Sequence, residues 1–180
     1  MAFTDNLPFT FASFTLHMQA CERLELPRFK GATLRGGFGH VFKRVCCMAP
    51  AGQCHDACQH GKACAYGYIF ETPQAVHTNS PIHATNLPHP FVILPPLTTR
   101  QVFAPGDSLD LRVTLFGHSI DFIPHFVYGF EELGNIGIGR GRGTYRLTHV
   151  TDSAGAKIYD SASKSFRSDF KRRTFGELHR

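Results

Sequence analysis

The chain has 180 residues, 42% of them hydrophobic, which suits one domain with a real core and does not stretch to several. It holds no run of about 18 apolar residues, and its opening, MAFTDNLPFTF, has neither a basic region nor an apolar stretch of signal length, so the expected compartment is the cytoplasm, with no membrane span and no secretory leader. The net charge of +5 is uneven, with six Lys/Arg against Glu25 in residues 23–44 and ten against four acids in residues 134–180; two such blocks either meet as a polyanion site or are solvated surface.

Residues 8–20, PFTFASFTLHMQA, alternate. Phe14, Leu16, Met18 and Ala20 fall to one side, and Ser13, Thr15, His17 and Gln19 to the other, as in a half-buried strand. Pro27 breaks the chain. Residues 31–47 change to helical period: Leu34, Phe38, Val41, Phe42 and Val45 form one stripe, and Gly36, His40, Lys43, Arg44 and Cys47 lie opposite. Each glycine inside that helix costs about 1 kcal/mol relative to Ala. Either something approaches the helix closely there, or its first turns are a loop.

Two short apolar runs, YGYIFET (66–72) and PFVILPP (90–96), read as strands joined by a His- and Pro-rich loop. SLDLRVTLFG (108–117) alternates behind the turn APGD, with Leu109, Leu111, Val113 and Leu115 inward. Residues 121–133 return to helical period through Ile123, Phe126, Val127, Phe130 and Leu133, with Asp121 as the expected N-cap and Pro124 in the first turn. TYRLTHV (144–150) alternates again, DSAGAK reads as a turn, and the tail from Ser161 is polar and basic. The order is β-α-β-β-α-β with additions. It predicts an α+β, ferredoxin-like (RRM-like) domain over residues 1–150, with both helices on one face of the sheet. Residues 46–64 are a cysteine-rich insertion, and residues 151–180 a linker or tail.

Three groupings carry chemistry. Five of the six cysteines fall in CCMAPAGQCHDACQHGKAC. Cys46, Cys54, Cys58 and Cys64 are spaced C-x7-C-x3-C-x5-C, with Cys47 as an alternative first ligand and His55 and His60 as possible substitutes. Four thiolates suit a structural zinc; an iron–sulfur cluster, free thiols and a disulfide are the other readings. Four cysteines leave no open position, so no catalytic metal is expected.

The run LGNIGIGRGRGTYRL (133–147) is the second grouping. It contains GxGxxG, but it leads from a helix into a strand, the reverse of a dinucleotide fingerprint, and it lacks the Lys-Ser/Thr of a P-loop. What remains is a phosphate or nucleic-acid contact through bare backbone with Arg140 and Arg142, or a plain tight turn. The third is His40, with Lys43 one turn on. A histidine near neutral pH transfers protons, and Lys43 or Arg44 could stabilise a phosphorane during attack by an RNA 2′-OH. A solvated surface histidine is the bland alternative.

Taken in order, KGATLRGGFGHVFKRVCC, the cysteines running into CAYGYIFETP, PFVILPP, FAPGDSLDLRVTLFG and LGNIGIGRGRGTYRL resemble the CRISPR-associated RAMP superfamily. Within it they are similar to the precursor-crRNA processing endoribonucleases, over about residues 14–150. The resemblance implies two ferredoxin-like domains, binding of CRISPR repeat RNA, and metal-independent cleavage by 2′-OH attack that leaves a 2′,3′-cyclic phosphate. It implies His40 as the general acid/base and Lys43 as its cationic neighbour. A Tyr is often near such a histidine, and here the first Tyr in the sequence is Tyr66. It implies RNA contact by Gly137, Gly139, Arg140, Gly141 and Arg142, with Arg35 and Arg44 extending the groove. Residues 151–180 would then lead toward a second domain absent from this chain. The alternative is a non-catalytic RAMP subunit that holds crRNA and scaffolds an effector complex with other CRISPR subunits. A zinc-stabilised module that binds protein is a third reading.

Overall fold

The structure, a computed structural model, describes residues 9–47, 64–71 and 88–178. Its first element is the alternating segment: β1 (Thr10–Ala20) buries Ala12, Phe14, Leu16, Met18 and Ala20 on one face. β5 (Ser108–Phe116) lies antiparallel beside it, in register from Phe11 opposite Phe116 to Gln19 opposite Ser108, and turns Leu109, Leu111, Val113 and Leu115 to the same side. β6 (Tyr145–Asp152) pairs with the other edge of β1, with an irregularity at His17/Met18. β3 (Phe91–Leu94) pairs with β5. In space the order is β3-β5-β1-β6. Taken along the chain these are the second, third, first and fourth strands of a β-α-β-β-α-β unit, as the sequence implies, and every pairing is antiparallel.

α1 (Gly31–Cys46) and α2 (Ile123–Ile136) cover the apolar face. α1 buries Leu34, Phe38, Val41 and Phe42, the stripe read from its period. Phe38 stacks on Phe130 (4.5 Å between centroids) and on Phe126 (4.9 Å), while Phe42 meets Phe126 at 5.4 Å. Small residues permit this approach: a Cβ on Gly129 would come within 2.9 Å of the Phe38 ring, and one on Gly37 within 3.0 Å of Leu133. The contacts pair 37 with 133, 38 with 130 and 42 with 126, so the helices run antiparallel. The first turn of α1 therefore shares one end of the molecule with the last turn of α2.

Two local expectations are revised. Residues 66–72 are not a strand: a helical turn begins at Ala65 and closes with the π-turn Gly67–Glu71. Ile69 enters the core, and Tyr66 and Phe70, four residues apart, stack at 5.4 Å. Asp121 does not cap α2. It lies in the 3-10 turn Gly117–Phe122, and its carboxylate accepts from His118 Nδ1 (3.0 Å) and Arg172 (2.9 Å). Pro124 does sit in the first turn of α2.

Two additions to the sheet structure escape the sequence reading. β2 (Leu24–Glu25) and β4 (Val102–Phe103) form a separate two-stranded sheet. Residues 151–174, expected as linker, largely extend the main sheet. β7 (Lys157–Asp160) and β8 (Ser165–Phe166) widen it beyond β6, and β9 (Arg173–Thr174) pairs with the start of β1. Asp152 locks this return. One carboxylate oxygen accepts the Ala154 and Ala156 N–H groups and the other that of Lys171, each at 2.9 Å. Burial pushes its carboxyl up, but the three N–H donors outweigh it and hold Asp152 below the ordinary carboxylate range.

Candidate nucleic-acid interface

The glycine run leaves α2 and folds back onto β2. Arg140 N–H donates to the Glu25 carbonyl (2.8 Å), Ile138 N–H to Gly143 (2.9 Å), and Gly137 N–H to Leu133 (3.0 Å). Four of the five glycines have an internal reason. A side chain on Gly134 would strike the Tyr145 carbonyl, on Gly137 that of Arg142, on Gly139 that of Glu25, and on Gly143 that of Arg23. Gly137 and Gly139 also have φ of +86° and +73°. Gly141 alone of the five faces open space, with φ +80°. The loop is a rigid clasp, and its bare backbone is spent mostly on its own packing.

The clasp presents charge. Arg140 is 87% exposed and reaches Glu25 only at 3.7 Å, a distance Glu25 also keeps to Arg23. Arg142 is exposed at φ +52°, and among the described residues no acid pairs with it. Exposed pairs of this length contribute little to stability, so both guanidinium groups remain available to a phosphate.

α1 carries the other candidates. Arg35, half-buried, lies over the Phe91 ring at 4.7 Å and so helps to pack β3. His40, Lys43 and Arg44 are exposed on the polar side. Lys43 and Arg44 also sit in the last turn, where positive charge favours the helix dipole. The Lys43 ammonium stands over the Tyr66 ring at 5.2 Å from its centroid. The fold thus brings to the His40/Lys43 turn a tyrosine that is 23 positions from Lys43 along the chain. No local pattern could have signalled this, because it arises from tertiary packing against α1. Antiparallel packing sets the turn of Arg35 at the glycine-clasp end, with His40 and Lys43 further along the helix.

Of the expected metal ligands, Cys54 and Cys58 lie outside the described residues, as do His55 and His60. The other two are at opposite ends of that loop, and Cys64 is buried. Burial, then the nearby Cys64 and Cys47 thiols, push the Cys46 thiol up to about 11. The ends of the loop therefore converge. Among the described residues no group of three His, Cys, Asp or Glu is placed to hold a metal ion.

The uncovered face of the sheet holds a row absent from the sequence reading. His17 and His149 stack at 4.2 Å, with His17 Nδ1 3.2 Å from Asp110 and Nε2 3.1 Å from the Thr151 hydroxyl. The alternation of β1 already put His17 on this side; its partners come from the pairing of β1 with β5 and β6. Burial first, then the neighbouring His17 and Lys157, hold His149 below the ordinary imidazole range.

The fold is a ferredoxin-like α+β domain, and it carries this basic clasp at one end. Of solved structures, a chain of the Csm3–Csm4 subcomplex in the type III-A CRISPR–Cas interference complex aligns with TM-score 0.51 and 14% identity, over 96% of this chain and 95% of that one. A Cas6 product complex aligns with TM-score 0.37 and 19% identity, over 78% of this chain and 39% of that one. The family model described as AF_1859_N, N-terminal domain, matches residues 7–170, and the chain belongs to that family. An uncharacterized protein of Archaeoglobus fulgidus is 29% identical over 137 residues, 75% of this chain. The chain spans 44% of the length of that relative. Among the described residues no helix is long and apolar enough to cross a membrane.

Proposed function

We propose that this chain is the RNA-binding N-terminal domain of a CRISPR-associated endoribonuclease that binds precursor crRNA at the repeat and cuts it without a metal. The observation that carries the reading is the glycine clasp, a rigid loop on β2 that holds Arg140 and Arg142 in solvent with little internal use for their charge. Such groups neutralise phosphates, so affinity should fall steeply with salt. Gly141, where an added Cβ would meet nothing within 4 Å, is where a phosphate would approach the backbone.

Cleavage is assigned to the exposed turn of α1. His40 would take the proton from the 2′-OH, or deliver one to the leaving 5′-oxygen. The 2′-oxygen bonds to phosphorus, the bond from phosphorus to the 5′-oxygen breaks, and a 2′,3′-cyclic phosphate and a 5′-hydroxyl result. Lys43, beside Tyr66, would stabilise charge on the phosphorane. A second domain, in the part of the parent protein beyond this chain, would complete the RNA site. Cys46, Cys54, Cys58 and Cys64 would hold a structural zinc; the convergence of Cys46 and Cys64 supports the assignment, and bound zinc would keep the raised Cys46 thiol ionised.

The test is end-labelled CRISPR repeat RNA incubated with the chain in EDTA. One discrete cut ending in a cyclic phosphate, lost in H40A with binding retained, is the expected result. Normal cutting by H40A would remove His40 from the chemistry. One observation favours a second reading, a non-catalytic RAMP subunit that holds crRNA among other effector subunits: the alignment with the Csm3–Csm4 subcomplex chain covers nearly all of both chains. That reading expects a shifted but intact RNA, also when the rest of the parent protein is restored.

A further inference from the structure

Next to the clasp lies an aromatic residue that none of the readings above uses. Phe29 is 84% exposed, in the segment joining β2 to α1. A lone surface phenylalanine is ordinary, but this one is held in place. Lys30, the next residue, is 1% exposed, and its ammonium donates to the Thr98 carbonyl (2.8 Å) and to that of Arg28 (3.5 Å). On the other side, Leu26 N–H donates to the Gln101 carbonyl (2.8 Å). A buried charge keeps its place only through such bonds. Residues 26–30 are thereby fastened at both ends to residues 98–101, where Leu97 is 83% exposed beside Thr98.

The surroundings are cationic. A groove of about 400 Å³ opens beside this segment, with Pro27 and Val102 as its apolar walls and Arg140 at its rim. Arg28, adjacent to Phe29, is exposed, and among the described residues neither it nor Arg142 is paired with an acid. Glu25, the acid lining the groove, is already shared by Arg23 and Arg140. An exposed ring on a fastened segment, with Arg28 adjacent and an apolar groove rimmed by Arg140 beside it, matches a strand that offers flat bases and phosphates together.

We infer that Phe29 is a stacking platform for an unpaired base of single-stranded RNA, whose adjoining phosphates are held by Arg28, Arg140 and Arg142. This rests on the RNA-binding reading above and extends it: the domain grips unpaired nucleotides at the β2–α1 segment, in addition to phosphates at the clasp.

The experiment uses a fluorescein-labelled ten-nucleotide oligouridylate and a duplex RNA of similar length, with the full chain, F29A, F29W and R142A. Base–aromatic stacking predicts that F29A binds the oligouridylate roughly 5- to 150-fold more weakly. F29W should recover the loss, the duplex should bind F29A as before, and the salt slope should be unchanged. R142A should lower that slope by about one. At 84% exposure, F29A should melt with the wild type. Unchanged oligouridylate affinity in F29A, while the wild type binds, overturns the platform and leaves the RNA reading intact. A wild type that binds neither probe overturns both. Altered self-association of F29A in sedimentation, with RNA affinity unchanged, would make the ring a protein contact and also overturns the platform.

Discussion

Gly139→Ala and Gly141→Ala separate the two reasons a glycine can have in the clasp. Both positions have positive φ, +73° and +80°, so each alanine carries a backbone strain of about 1–3 kcal/mol. Gly139 carries a further cost. Its new methyl would meet the Glu25 carbonyl, the acceptor of the Arg140 N–H bond that ties the clasp to β2. Opening that bond removes about 0.5–1.5 kcal/mol more. G139A should therefore be less stable than G141A by about 1 kcal/mol, and less stable than the wild type by about 2–4 kcal/mol. Urea unfolding reads this as a lower midpoint at unchanged slope. RNA affinity should invert the ranking: G141A, the milder folding mutant, obstructs the one open backbone position and should lose more binding. Equal midpoints for the two variants would refute the claim that the clasp is held by close backbone approach. Equal RNA affinities would remove Gly141 from phosphate contact.

D152N weakens three N–H acceptor bonds to one side chain and should cost about 1.5–3 kcal/mol, with amide exchange rising first around Lys171 and β9. Because the folded His149 pKa is lowered, the unfolded chain takes up that proton first as pH falls, so this residue makes stability decline below about pH 6.5 and then level off beneath its folded pKa. Thermal melts from pH 8 to 5 should show that slope, and H149Q should flatten it. Protein purified without added zinc should carry about one zinc per chain, and C64S should lose it; less than about half a metal in the wild type would sink the assignment.

Elements governed by their own period were legible. β1 and β5 alternate over nine or more residues, and α1 repeats its apolar stripe across about three turns. Residues 66–71 failed because five or six apolar residues satisfy either period, and the neighbour decides. Here that neighbour is Gly39: a Cβ there would sit 3.1 Å from the Phe70 ring, so α1 offers the turn a flat place to dock. This also gives a reason for one of the glycines that weaken α1. The edge strands were illegible for another cause. β8 and β9 have two residues each, and what holds them is distant: Asp152 grips Lys171, and Arg173 lies over the Phe11 ring at 5.8 Å. The site divides in the same way. Arg140 and Arg142 stand in a run whose composition announces them. Tyr66 and Phe29 gain their surroundings only from tertiary contacts, with Lys43 in one case and through Lys30 and Thr98 in the other.

Antiparallel packing of the two helices gives the proposed chemistry a polarity. The clasp follows α2, so it lies at the first turn of α1, near Phe29 and Arg35. His40 is nine residues into that helix, roughly 14 Å along its axis from Gly31, and the free thiols of Cys46 and Cys64 stand toward its far end. An RNA that crosses from clasp to His40 must run along the outside of α1, the face kept polar by Gly36, His40 and Lys43. Grip and chemistry then sit on different turns of one rigid element. Neutralising Arg140 or Arg142 should weaken binding and its salt dependence while leaving the single-turnover rate at saturating protein unchanged. Removing His40 should do the reverse. If variants at both places left binding and rate unchanged, the RNA would have to lie elsewhere, and the outer face of α1 would be only solvated surface.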